Sequence, residues 1–240
     1  MNEPLTANAA PKDPRSVQRM FNAIAPTYDL LNHILSFGLD IRWRKHAVRL
    51  LEEKRGGAFI DIAAGSGDLS LAAIGLSPSH LVATDFAESM LQVFQEKVRG
   101  HEYAHLIDLV VCDALALPFT DDSFDATMVA FGIRNFADRL RSLREMRRVL
   151  KPGGLSVILE LSAPTTPVIS QFYKLYSRVA LPLLGKFVSR HNSAYAYLPE
   201  SIALFPAEKE FCTLVEEAGF REIQATPLTF GVATLYVGRK

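Results

Sequence analysis

The chain has 240 residues, enough for one well-packed domain, and 49% of them are hydrophobic, which excludes a disordered or fibrous protein. Lys plus Arg and Asp plus Glu number 26 each, so the net charge is zero and a broad basic surface for nucleic acid is excluded. The two cysteines, Cys112 and Cys212, form no CxxC and join no His–Cys cluster. That argues for a reduced, cytoplasmic interior with both thiols in the core and no metal site.

Residues 1–13 are polar and Pro-rich, carry no apolar signal core and read as a disordered tail. No stretch approaches the roughly 18 apolar residues that span a bilayer, so the chain is expected to be soluble or at most peripheral. A helix is predicted from Ser16 to about Ala25, broken by Pro26, and a second from about Leu39 to Glu53, ended by "RGG". An alternation follows. "AFIDIA" (58–63) reads as strand, "GSGDLSLAAIGL" turns through glycines into a helix, and "HLVATD" (80–85) is strand. "AESMLQVFQEKV" (87–98) is an amphipathic helix, "LIDLVVCD" (106–113) and "FDATMVAF" (124–131) are strands, and "ADRLRSLREMRRVL" (137–150) is helix. "KPGG" reads as a turn before the strand "LSVILEL" (155–161). After Pro167 the pattern becomes a helical insert (about 168–205), then a helix (207–218) and two closing strands near 220–226 and 232–238. Alternating strands and helices at this spacing predict an α/β fold with a mostly parallel sheet and helices on both faces.

In such sheets ligands bind beyond the carboxyl ends of the strands. Three features fall there. The turn "DIAAGSGDL" (61–69) leaves the first strand through Gly65 and Gly67, where missing side chains let a ligand approach backbone N–H groups. Asp85 closes the second strand, 20 positions after Gly65, placed to accept from ribose hydroxyls. Asp113 and Ala114 lie just past the third strand, where an adenine would be recognised. Alone, the Gly-x-Gly is equally a tight turn. A dinucleotide fingerprint would need glycine at Ser70, and Asp61 ahead of the turn would repel a pyrophosphate but attract a cationic amino-acid head group. The combination favours S-adenosylmethionine. Arg134 and Asn135 end an apolar strand, and two polar side chains are costly there unless something binds them. One alternative pairs Arg134 with a surface acid such as Asp138 and leaves Asn135 to cap the next helix.

Six blocks resemble one family in the same order: "MFNAIAPTYDLLNHILSFGLDIRWRK" (20–45), "DIAAGSGDL", "ALPFTDDSFDATMVAFGIRNFADR" (116–139), "RVLKPGGLSVILELSAP" (148–164), "YAYLPESIALFP" (195–206) and "GFREIQATPLTFGVATLYVG" (219–238). The family is the ubiquinone/menaquinone biosynthesis C-methyltransferases. "KPGG" and Gly-x-Gly recur across class I methyltransferases, whereas "YDLLNHILSFG", "FGIRNFAD" and "YLPESI" are far more specific.

The resemblance implies a Rossmann-like class I methyltransferase fold with a seven-stranded, mostly parallel sheet, in one domain (14–240) with an N-terminal helical lid (14–55) and a helical substrate insert (165–206). It implies methyl transfer from S-adenosylmethionine to a ring carbon of a polyprenylated quinol. The acceptor would be demethylmenaquinol, the equivalent benzoquinol of ubiquinone synthesis, or both. Cofactor contacts carry over to Ser66, Asp85, Asp113, Ala114 and Ala130. The family commonly has Gly where Ala64 stands and often Ser where Ala130 stands, so a side-chain contact at 130 is in doubt and backbone would serve. Arg134 is expected to stabilise oxygen charge on the quinol, and Asn135 to fix the ring or a bridging water. Tyr28 and Asp29 lie in the expected lid, with Tyr28 over the cofactor. His33, a lone histidine, reads more readily as a packed or surface residue than as a proton acceptor, and Trp43 as an anchor between lid and core. The insert 168–190 mixes apolar residues with Lys174, Arg178, Lys186 and Arg190. It reads either as a core-packed helix pair or as a prenyl channel with peripheral contact at the inner face of a membrane. A homodimer is compatible with the reading. Two competing functions are methylation of a small soluble acceptor and a non-catalytic, cofactor-binding role in a quinone-biosynthesis assembly.

Overall fold

A computed structural model describes residues 13–164, 171 and 192–240. The tail over residues 1–12 and the insert over residues 165–170 and 172–191 lie outside the described residues.

Seven strands form one sheet: β1 (Ala58–Ile62), β2 (His80–Asp85), β3 (Ile107–Val111), β4 (Phe124–Ala130), β5 (Leu150–Leu161), β6 (Arg221–Leu228) and β7 (Ala233–Arg239). Their order is β3-β2-β1-β4-β5-β7-β6, and only β7 runs antiparallel to its neighbours. The central strands β1 and β4 are buried along nearly their whole length, as both faces are covered by helices, while the edge strands β3 and β6 are largely open.

The period of two divides each central strand between two cores. Phe59, Leu81, Ala83, Met128 and Leu159 face one core, under α3 (Leu39–Arg49), α4 (Asp68–Ala73) and α5 (Glu88–Val98). Ile60, Ile62, Val82, Val129 and Ile158 face the other, under α6 (Arg139–Val149) and α8 (Glu208–Glu217). Asp61 shares the face of Phe59 and so points beneath α4, where its carboxylate meets Ser70. The chain steps outward from β1 to β3 and then crosses back to β4. This makes the β1–β4 boundary the topological switch point.

Several elements differ from expectation. α1 (Pro14–Ile24) is followed by a short turn at Ala25–Thr27 and then by α2 (Tyr28–Leu35), a helix that the sequence reading passed over. Pro26 ends α1 but sits at the start of that turn, where a missing N–H costs nothing, so the chain coils again at once. α3 stops at Arg49, four residues earlier than predicted to Glu53. "KPGG" lies inside β5 rather than before it. Phe124 pairs with Leu150 and Ala126 with Leu155, so two steps on β4 match five on β5 and the extra residues bulge outward. Asp138, not Asn135, caps α6, its Oδ1 accepting from the Arg141 N–H at 2.9 Å. α7 (Asn192–Ala203) contains Pro199 and leads into α8.

Candidate active site

The tips of β1 and β4 meet at the switch point in strained backbone. Ala63 (φ 55°) and Phe131 (φ 61°) both adopt left-handed conformations, seldom seen for residues other than glycine. Between them Gly132 is required, because a Cβ there would come within 2.7 Å of the Ala63 Cβ. Gly67 (φ 88°) starts α4, and a Cβ on it would lie 2.2 Å from the Phe94 ring, so the turn can seat on α5 only with glycine. Gly65 (φ 58°) leaves its space toward Tyr28 open and donates its N–H to Asp85 Oδ2 at 2.8 Å. Asp85 Oδ1 accepts from the Ala87 N–H at 2.8 Å. Burial raises the Asp85 pKa, while these N–H bonds pull it the other way.

A cleft of about 830 Å³ opens over these tips, lined by Gly65, Asp85, Asp113, Ala114, Ala130 and Asn135. Val17 and Phe21 of α1 and Tyr28 of α2 form part of its wall. α1 is held across it by Gln18, which donates to the Phe86 carbonyl at 2.6 Å, and by Asn22, which accepts from the Ser89 N–H at 3.1 Å. Asp113 is exposed and uses Oδ1 on the Leu115 N–H at 2.9 Å.

A smaller cavity of about 300 Å³ adjoins the cleft through Tyr28, Ala63, Gly65 and Ala130, and reaches Asp61, Ala64 and Ser66. Asp61 is fully buried. Its Oδ2 accepts from Ser70 Oγ at 2.6 Å, but its Oδ1 has no hydrogen-bond partner. Burial pushes its pKa up to about 7. A buried carboxylate oxygen left unmatched is costly, and an ammonium group in this cavity would satisfy it. The cavity thus fits the amino-acid end of S-adenosylmethionine, and the cleft fits its nucleoside.

An ion-pair network ties this turn to α2 and α3. Ser66 Oγ donates to Asp29, which pairs with Lys97 at 2.6 Å, and Lys97 pairs with Asp68 at 2.8 Å. Arg44 Nη2 lies 3.8 Å from Asp68 and its Nη1 pairs with Asp40, which also meets His33 Nδ1 at 2.8 Å. The Ser66 hydroxyl is therefore occupied by Asp29, which leaves the Ser66 backbone for a ligand. His33 belongs to the network, as a packed residue.

A third space, an open apolar cavity of about 690 Å³, shares Tyr28 and Phe131 with the cleft. Trp43, Leu161, Leu198, Ile202 and Val232 form its apolar walls, and Arg44 and Arg134 supply two guanidinium groups. Trp43 packs edge-on to Phe131 at 6.2 Å, donates Nε1–H to Thr229 Oγ1 at 2.9 Å, and so joins α3 to the turn before β7. The Arg44 guanidinium lies 5.1 Å above the Phe131 ring.

Arg134 is only 4% exposed. Its Nη1 donates to Glu160 Oε1 at 2.7 Å and to the Phe131 carbonyl, and its backbone N–H donates to Glu160 Oε2 at 3.0 Å. Its buried partner is Glu160 rather than Asp138. Burial works against the Arg134 charge, but Glu160, Tyr28 and Tyr197 together outweigh it, and the pKa is raised. Asn135 Oδ1 accepts from the buried Tyr197 hydroxyl at 2.8 Å, which positions Asn135 against the cleft. Burial raises the pKa of both Tyr28 and Tyr197, against the pull of Arg134.

Glu160 and Arg44 are site residues that the sequence reading missed. Glu160 had a signal: a carboxylate flanked by Leu159 and Leu161 near the end of an apolar strand poses the same question as Arg134, and the two answer each other.

A family model described as the ubiE/COQ5 methyltransferase family matches residues 9–240. A ubiquinone/menaquinone biosynthesis C-methyltransferase UbiE of Geobacter sulfurreducens is 43% identical over 226 residues, covering 93% of this chain and 88% of that protein. The demethylmenaquinone methyltransferases of Bacteroides fragilis and Thermus thermophilus are 44% and 45% identical, covering 95% and 91% of this chain and 94% and 99% of theirs. Among solved structures, a methyltransferase of Aquifex aeolicus that depends on S-adenosylmethionine superposes with a TM-score of 0.60 at 16% identity, covering 95% of this chain and 98% of that one. A possible histamine N-methyltransferase of Thermotoga maritima gives 0.62 at 18%, covering 92% and 99%. These two likenesses show the class I methyltransferase fold.

Proposed function

Because the chain belongs to the ubiE/COQ5 methyltransferase family, we propose that it methylates a ring carbon of a polyprenylated quinol, with S-adenosylmethionine as methyl donor. Demethylmenaquinol and the equivalent benzoquinol of ubiquinone synthesis are the acceptors, by analogy with the activities that its relatives are named for. One observation carries this reading. An apolar cavity with two buried guanidinium groups lies against the cofactor cleft and shares Tyr28 and Phe131 with it.

Bound in the cleft, the cofactor supplies a methyl group already activated on a cationic sulfur. The work left to the protein is alignment, exclusion of water and control of charge on the acceptor. Asp61 accepts from the cofactor ammonium with its unmatched oxygen. The Asp85 carboxylate spends one lone pair of each oxygen on Gly65 and Ala87 and keeps others for the ribose hydroxyls. Asp113 and Ala114 flank the adenine, and the backbone at Gly65, Ser66, Gly67 and Ala130 closes around the remainder.

At the acceptor, the Arg134 and Arg44 guanidinium groups line the cavity, each paired with an acid, Glu160 and Asp40, and their remaining N–H groups donate to the quinol oxygen and favour the phenolate, which makes the neighbouring ring carbon nucleophilic. Glu160 holds the Arg134 guanidinium in place, and Tyr197 holds Asn135 on the wall of the cofactor cleft rather than of the acceptor cavity, so its part is to orient a water between the two and not the ring itself. That water takes the ring proton, since an arginine with a pKa above about 12 is a poor base. A small soluble acceptor would leave the apolar walls at Trp43, Leu161, Leu198, Ile202 and Val232 uncovered, so the lipid-tailed quinol is favoured. No helix among the described residues is long and apolar enough to cross a membrane.

The test supplies methyl-labelled cofactor with a demethylnaphthoquinol and a demethylbenzoquinol. Label in a ring methyl of either product is the expected result. A protein that binds cofactor but labels neither quinol overturns the proposal.

A further inference from the structure

A fourth space, a chamber of about 490 Å³, lies between α1, α2 and α7. Tyr28, Asn32, Leu35, Arg134 and Leu198 belong to its wall and also to that of the acceptor cavity, so the two spaces adjoin. Met20, Phe21 and Ile24 of α1, Leu31 of α2 and Tyr197 of α7 line the chamber but not the acceptor cavity. Helical spacing brings these side chains together. Met20 and Ile24 are four residues apart on α1, and Leu31 and Leu35 four apart on α2, so each pair shares a face. Ile24 and Leu31 are buried, yet neither belongs to the two cores that flank the sheet. A space of this size behind buried apolar side chains is unusual in a close-packed interior and marks a place for a ligand.

Polarity identifies the occupant. Ser36, Asp40 and Arg44 line the acceptor cavity but not the chamber. Tyr28, Asn32 and Arg134 stand on the boundary between the two. The Tyr197 hydroxyl is spent as a donor to Asn135 Oδ1 at 2.8 Å. The passage from the acceptor cavity into the chamber thus runs from hydrogen-bonding groups to hydrocarbon. Phe21 and Tyr28, edge to face at 5.9 Å, also line the cofactor cleft and so stand between it and the chamber. A ligand that matches both spaces has a polar ring at one end and an apolar chain at the other. A prenylated quinol has that form, whereas a second polar molecule would strand its polar atoms against Met20, Ile24 and Leu31.

We propose that the chamber between α1, α2 and α7 holds the first isoprene units of the acceptor's tail, with the ring in the acceptor cavity beside Arg134. The helices that cover the cofactor thereby also grip the tail, and an acceptor is selected by the chain it carries as well as by its ring. The proposal rests on the quinol reading above.

The test measures by calorimetry the affinity of the full chain for oxidised quinones that bear no tail or one, two or three isoprene units. No turnover is needed. Wild-type affinity should rise about tenfold or more with the first unit, from the apolar area covered. Met20→Trp, at a half-buried position, and Ile24→Phe each fill part of the chamber. Each should remove about tenfold or more of the gain that the tail brings. Affinity for the tail-less quinone should stay at the wild-type value, which also shows that the variants fold. Methyl transfer to the matching demethylquinols should follow the same pattern in KM, with kcat for the tail-less acceptor unchanged. Wild-type affinity indifferent to the tail overturns the chamber. A tail gain undiminished in both variants does so too, because the chain then runs elsewhere. So does an equal loss for tailed and tail-less quinones, which would make the effect one of helix packing. Absent methyl transfer to every demethylquinol by the wild type overturns the proposed reaction instead, and the affinity series is scored without it.

Discussion

The Arg134 guanidinium and the Glu160 carboxylate, 26 residues apart in sequence, pair at 2.7 Å across the tips of β4 and β5. Glu160 takes the Arg134 backbone N–H as well, at 3.0 Å, so one carboxylate fixes both ends of the residue. Both side chains are almost wholly buried, which makes removing one more damaging than removing both.

Glu160→Gln and Arg134→Met should each destabilise the protein by about 3–5 kcal/mol, the cost of stranding a buried charge. The double variant should regain a large part of that loss and still fail to turn over. Urea unfolding with a double-mutant cycle, alongside single-turnover assays, checks both statements. Cofactor affinity by calorimetry should stay close to wild type in the double variant. Equal loss of affinity and turnover would make the pair purely structural.

Asp61 gives the cofactor-free protein a pH signature. Its pKa rises from 3.8 to about 7 on folding, so its ionisation is resisted by the fold. Its contribution to stability is therefore complete below pH 3.8 and is lost as pH rises toward about 7, by up to ~1.4 kcal/mol per unit. Asp85 shifts in the same direction, while Asp40, Asp125 and Glu145 shift down and act oppositely. The readout is thus the difference between wild type and Asp61→Asn in unfolding midpoints across that range, with the variant the more stable at pH 8. Cofactor affinity should climb with pH to about 7 in the wild type. In Asp61→Asn it should be flat and about tenfold or more weaker, as a charge-assisted bond is lost.

Gly67→Ala should lower stability by about 2–4 kcal/mol, from overpacking against Phe94 and from a Cβ in left-handed backbone. Urea midpoints measure it. Shrinking the ring with Phe94→Leu should restore only part of the loss, because the backbone cost remains.

Trp43 is the single tryptophan and lines the acceptor cavity beside Phe131. Its emission should be quenched saturably by an added quinone, with much smaller change on cofactor alone. Quenching that follows the cofactor and ignores the quinone would place the acceptor elsewhere.

Much of the fold was legible because hydrophobic periodicity is local. "HLVATD" became β2 at His80–Asp85, and the seven strands stand where composition and turns placed them. The exceptions are instructive. α2 is hidden because Pro26 reads as a breaker, although it can equally open a new turn, and "KPGG" reads as a turn although neighbouring strands hold it as a bulge within β5. At the site, the polarity of Arg134 and Asn135 was conspicuous, but their partners Glu160 and Tyr197 come from distant segments. The same holds for Ser66, whose hydroxyl goes to Asp29, and for Arg44, which a basic helix disguises as a surface residue. Pairings of this type depend on three-dimensional closure, and no local pattern encodes them.

Tyr28 belongs to the walls of the nucleoside cleft, of the smaller cavity at Asp61 and of the acceptor cavity. The proposed donor and acceptor compartments thus have the Tyr28 ring, with Phe131 beside it, as a common wall. A rotation of that ring would change the room on both sides at once, and linked exchange of the two ligands is the expected outcome. Steady-state kinetics should accordingly show an ordered sequence, in which the spent donor departs only after the methylated ring has cleared its side of the phenol.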